Sequence, residues 1–140
     1  MILHFNYEEL TALRSGARVF LEREEDGGGV VLAPSEEKAR VEALLPHLDG
    51  DMTLHTLAEL RAVEGAVDAI VRCLRVEMET SVVMTHAADE SAVAAYFDFA
   101  HGFTVLHRLR EMAAEMAALV ELMTGEPPND ETERSFNFPD

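Results

Sequence analysis

The chain has 140 residues, 48% of them apolar and 6% aromatic, with a formal charge of −16 from 27 acidic and 11 basic side chains. That length supports one domain with a real core, and that apolar share excludes a chain disordered by composition. The charge disfavours direct contact with nucleic acid or an anionic membrane, and no uncharged apolar run is long enough to span a bilayer.

The charge is spread evenly: 10 acids against 5 bases in residues 1–50, 9 against 3 in 51–100 and 8 against 3 in 101–140. An acidic inhibitor that mimics nucleic acid in a basic groove is expected to gather its charge on one face. It remains an alternative, but a solvated surface is the simpler account. The single cysteine, Cys73, excludes an internal disulfide framework. Residues 1–6 lack the basic start and apolar run of a signal peptide, so a cytoplasmic protein is expected.

Asn6 is an N-cap with Glu8 and Glu9 in the first turn. Leu10, Leu13, Ala17, Phe20 and Leu21 recur at helical spacing and predict a helix over about 7–24. Ser15-Gly16 weakens it, and Val19, Leu21 and Arg23 alternate as a strand would. For residues 17–33, a hairpin and a helix followed by a loop both stay open. Asp26-Gly27-Gly28-Gly29 breaks the pattern, and Val30 to Ala33 is a short apolar run. Pro34-Ser35-Glu36-Glu37 opens a second helix, about 35–45, which Pro46 ends.

Asp49-Gly50-Asp51 is a turn. Thr53 is a cap candidate, and Thr56 with Glu59 offers an alternative capping box. From there Leu57, Leu60, Val63, Val67, Ile70, Val71, Leu74 and Met78 sustain a third helix, about 54–79. Ser81 to Met84 is read as a helix end or connection. The fourth helix, about 89–124, contains no proline and is stopped by Gly125-Glu126-Pro127-Pro128. Its length is about 50 Å at about 1.5 Å per residue.

Within that helix the segment Ala92–Ala100 is almost wholly apolar and is expected to be surrounded by core. Leu109, Met112, Met116, Leu119 and Met123 follow coiled-coil spacing and are expected to form a partner-binding stripe. Residues 125–140 read as an acidic tail. Its Phe136 and Phe138 either dock on the body or bind a partner. The expected fold is therefore all-α: a four-helix bundle-like domain, residues 1–124, with one long C-terminal helix and an acidic C-terminal tail.

Motifs for catalysis are nearly absent. Gly27-Gly28-Gly29 lacks the Lys-Ser/Thr of a phosphate loop, the histidines do not form His-Glu-x-x-His, and no Cys-x-x-Cys exists. No catalytic residue and no cofactor are expected. Asp98 and His101, three apart on a helix, are a weak candidate metal pair. Glu64, Asp68, Glu77 and Glu79 on the third helix are conceivable further ligands, although no spacing selects them.

Gly16-Ala17-Arg18-Val19-Phe20-Leu21, the glycine turn, Val30-Val31-Leu32-Ala33-Pro34 and Leu45 to Leu54 are weakly similar to PqqD-like peptide-recognition domains. The similarity spans residues 16–78 at most and lacks a third strand. It implies a winged-helix binder of leader peptides at a sheet edge. The leading expectation is different: a non-catalytic helical interaction or regulatory module. Its expected partner is a second copy, as a homodimer, or another protein, with no nucleic acid and no membrane.

Overall fold

A computed structural model describes residues 1–25, 35–85 and 90–138 of the chain. The fold is all-α. Its helices are α1 (Tyr7–Glu25), α2 (Ser35–Leu44), α3 (Leu57–Thr85), α4 (Glu90–Thr124) and α5 (Asp130–Ser135), with a 3₁₀ turn at Leu45–His47. Two short strands, β1 (Ile2–Leu3) and β2 (Met52–Thr53), pair antiparallel with Ile2 opposite Thr53 and Leu3 opposite Met52.

Local chemistry sets the helix starts. The Asn6 side chain accepts from the Glu9 amide at 2.8 Å, and the Glu9 carboxylate accepts from the Asn6 amide at 2.9 Å, a reciprocal capping box. At α3 the Thr56 hydroxyl accepts from the Glu59 amide at 3.2 Å, while Glu59 reaches back to the His55 amide at 2.6 Å. Thr56 therefore caps α3, and Thr53 lies in β2 instead. The α3 helix also runs on through Ser81–Thr85, past the expected end at 79. Gly125 closes α4 in the left-handed conformation, φ 82°, where a side chain would be strained.

Residues 17–25 continue α1 as a helix, which corrects the strand alternative. The PqqD-like likeness loses its first strand there, because Gly16–Leu21 is helical. Its second apolar run, Val30 to Pro34, lies outside the described residues, as do the Gly27–Gly29 turn and the His86–Asp89 lead-in. Residues 125–138 are not a loose tail. Asn129 caps α5 by accepting from the Thr132 amide at 2.8 Å, and Phe138 is buried in the core at 7% exposure. The Phe138 amide donates to the His55 carbonyl at 2.7 Å, beside an antiparallel bridge between Thr56 and Asn137.

The core lies where α3 meets α1, α2 and α4, with Leu13, Val41, Leu57, Leu60, Val67, Ile70, Val105 and Leu109 fully buried. Two glycines let the helices close on α3. A Cβ on Gly16 would stand 2.7 Å from Ile70 Cγ2 and 2.8 Å from Leu74 Cγ, and one on Gly102 would stand 3.1 Å from Leu74 Cδ1. Leu74 thus fills the space that both glycines leave. Near the other end of α1, Arg108 of α4 holds the Glu9 carboxylate at 3.0 and 3.1 Å. Glu9 is 4% exposed, so the pair compensates a buried charge.

The two glycines differ in what they tolerate. Replacing either by alanine gains about 1 kcal/mol of helix propensity. At Gly16 the new methyl overlaps the Ile70 Cγ2 methyl and the branched Cγ of Leu74, and overpacking costs about 1–3 kcal/mol. Gly16→Ala is expected to lose about 1 kcal/mol in urea unfolding, whereas Gly102→Ala stays within about 0.5 kcal/mol of the parent. Equal losses at both sites would contradict the junction described.

Candidate interaction surface

The main neighbours of α4 are α3 and α1. Two neighbours cover one side of a helix, and the covered side is clear. Gly102, Val105, Leu106, Leu109, Ala113 and Val120 are buried along it. At 3.6 residues per turn, that alignment turns positions 93, 96, 100, 103 and 107 outward.

The sequence places apolar groups at four of those five positions. Val93 is 43% exposed, Tyr96 54% and Phe103 49%, with half-buried Ala100 between the aromatics and His107 at the end. Phe97, 53% exposed, widens the stripe and meets Tyr96 edge-on, ring centroids 5.7 Å apart. Phe103 leans on Phe99 at 5.9 Å, and Phe99 packs against the core, so the surface stripe is continuous with the interior. From Ser91 to Leu106 the only Asp, Glu, Lys or Arg is Asp98, in a chain that is 27% charged.

This arrangement corrects the expectation for the long helix. In Ala92–Ala100 only Ala92 is buried; Val93, Tyr96 and Phe97 face solvent, because among the described residues no third helix packs on that side. The stripe expected to bind a partner lies the other way. Leu109 is 1% exposed, Met112 and Met116 pack against the core, and Leu119 is half-buried. Of those five, Met123 alone is exposed, beside Leu122. In the tail Phe136 is half-buried and Phe138 points inward, so Phe138 does not serve as an exposed motif.

Asp98 and His101 stand three apart on α4, and no group of three or more potential ligands gathers among the described residues. The third-helix acids are committed elsewhere. Asp68 binds Arg72 at 3.0 Å and Arg110 at 3.1 Å, Glu79 binds Arg75 at 3.1 Å, Glu64 faces Arg110 at 3.9 Å, and Glu77 pairs with Arg23. Cys73 is buried, and that burial pushes its thiol pKa up; Arg23 pulls it down and Glu77 adds to the rise. It has the character of an inert core thiol.

A separate recess of about 410 Å³ opens between α2, β2 and α3, floored by Leu44, Met52, Leu54 and Val63. Its size suits a small molecule. Its charged neighbours are already engaged: Arg40 with Glu36 at 2.7 Å, Asp51 with His4 at 3.1 Å, and Glu59 with the His55 amide. No described helix is long and apolar enough to cross a membrane. No family model matches the chain, and comparison with curated proteins and with solved structures found no match.

Asp98 has one chemical consequence. Partial burial pushes its carboxyl above the ordinary carboxylate range, and the His101 imidazole pulls it partly back. An acid with a raised folded pKa is harder to ionise in the fold than in the open chain. Its ionisation therefore costs stability as pH rises above the open-chain value of about 3.9. Asp98→Asn is expected to raise the melting temperature at about pH 7 and not at about pH 3. A lower melting temperature at neutral pH would mean that the carboxylate has a stabilising partner.

Proposed function

We propose that the chain is a non-catalytic helical protein–protein interaction module that self-associates, with the N-terminal half of α4 as its contact surface. The observation that supports this is the uncharged stripe of Val93, Tyr96, Phe97 and Phe103, exposed on a protein of charge −16. Three half-exposed aromatics hold about 300 Å² of apolar surface, since each side chain offers about 150–250 Å². Val93 and Ala100 extend it to a contiguous patch of a few hundred Å², the size of the largest and often functional patch on a small protein.

Two copies meeting here remove about 600–800 Å² of apolar surface, a gross gain of about 15–20 kcal/mol at about 25 cal/mol per Å². Association costs about 4–15 kcal/mol in lost freedom, so the affinity is set by how well the aromatics pack and not by area alone. Salt bears on this with a definite sign. Each copy carries −16, so screening weakens their repulsion and tightens the pair. A basic-groove partner would respond in the opposite sense. The setting that goes with this reading is cytoplasmic, supported by the single buried thiol.

Size exclusion with light scattering tests the reading. Across about 1–200 μM protein, the mass is expected to climb from 15.5 kDa towards twice that value. The climb comes earlier at higher salt. Phe97→Glu is expected to hold the protein at 15.5 kDa with its helical circular dichroism unchanged. A parent that stays at 15.5 kDa throughout sinks the proposal.

A further inference from the structure

The stripe is arranged about a centre. Ala100, the smallest side chain on it, has Tyr96 and Phe97 four and three residues before it and Phe103 three residues after it. Val93 and His107 lie seven residues to either side. Small residues let helix axes approach closely, and bulky ones on both sides fill the space beside the crossing.

We infer that α4 pairs with α4 of a second copy, antiparallel, about a two-fold axis that passes beside Ala100. This rests on the self-association proposed above and adds its geometry. A two-fold contact needs a surface complementary to itself, in which residue i meets j and j meets i. With the axis at Ala100, Tyr96 and Phe97 of one copy stand against Phe103 of the other, and the same contact recurs on the far side. Val93 meets His107 of the second copy, and Ala100 meets Ala100.

Orientation follows from where the charge lies. Beyond Leu106 the helix carries Glu111, Glu115 and Glu121 against Arg108 and Arg110, and the acidic Glu126 to Glu133 segment follows. A parallel pair would set those carboxylates side by side. The antiparallel pair sends the two acidic C-terminal segments in opposite directions and brings together the halves whose only carboxylates are Glu90 and Asp98, with the helix dipoles opposed. The paired stripes supply most of the apolar area that a specific interface of about 1,000 Å² requires, and flanking Thr104 and His107 widen the contact.

Cysteine pairs test this in a Cys73→Ser background under mild oxidation. Two cysteines bridge only when their Cα atoms lie within about 7 Å. Ala100→Cys is expected to form a covalent dimer. Val93→Cys alone is not, because antiparallel copies of it stand about 20 Å apart at about 1.5 Å per residue. Mixed with His107→Cys, it is expected to cross-link.

Charge swaps give a second measurement that does not depend on oxidation. Ala100→Glu and Ala100→Lys are each expected to weaken the dimer about tenfold or more, and an equimolar mixture to restore it, because position 100 faces itself. Val93→Glu mixed with Val93→Lys restores nothing in this geometry. Efficient cross-linking of Val93→Cys to itself would show a parallel pair and overturn the inference. A parent dimer with no Ala100→Cys bridge and no rescue on mixing would also overturn it, while leaving self-association in place. A monomeric parent ends both.

Discussion

Leu74 is the point on which the helices close. Its branched end occupies the volume that Gly16 of α1 and Gly102 of α4 leave empty, so three helices meet on one side chain. Leu74 is 4% exposed, and Ile70, Val71 and Ala17 seal the surroundings. Packing of this density transmits position: once Gly102 must face Leu74, the rotation of the whole α4 helix is decided. Everything that α4 shows to solvent is a consequence of that contact, and the apolar stripe is the far side of it.

The ion pairs reinforce the same arrangement. Glu9 is held by Arg108, Asp68 by Arg72 and Arg110, and Glu133 by Arg61, so arginines join α1 to α4, α3 to α4 and α3 to α5. Most of these pairs are half in water, where each contributes little on its own. Glu9 is the exception, because its carboxylate is buried and serves the α1 cap as well as Arg108. In a chain with so few bases, spending arginine between helices leaves the acidic excess on the outside.

Much of this was legible in the residues. The caps at Asn6 and Thr56, the acidic first turns and the Gly125 stop are short-range chemistry, and the helix limits follow them closely. The direction of α4 was not. Ala92–Ala100 is apolar but for Asp98, so its periodicity carries little information about which face turns inward. The signal that could have decided it was Gly102, a helix-interior glycine flanked by apolar residues, which marks close approach of another element. Gly16 carried the same message and was read only as a weak point in α1. The two-residue strands and the docking of Phe138 depend on partners far away in the chain, Leu3 on Met52 and Phe138 on His55, beyond the reach of any local pattern.

One segment has a further consequence. The α-ammonium of Met1 donates to the Leu54 carbonyl at 3.0 Å, the Leu54 amide donates to the Met1 carbonyl at 2.8 Å, and the Phe138 amide donates to the neighbouring His55 carbonyl at 2.7 Å. Residues 52–56 are therefore completed by chain that arrives from 53 residues upstream and from beyond α5. Contacts of such separation form late, because the loops they close are long. The helical pairs can assemble first, and this small clasp then fastens both ends of the described chain onto the same five residues. The clasp shares no residue with the Leu74 junction, yet Leu54 and Phe138 belong to the same buried core as Leu74, so the two ends of the described chain are tied to the place where the helices cross.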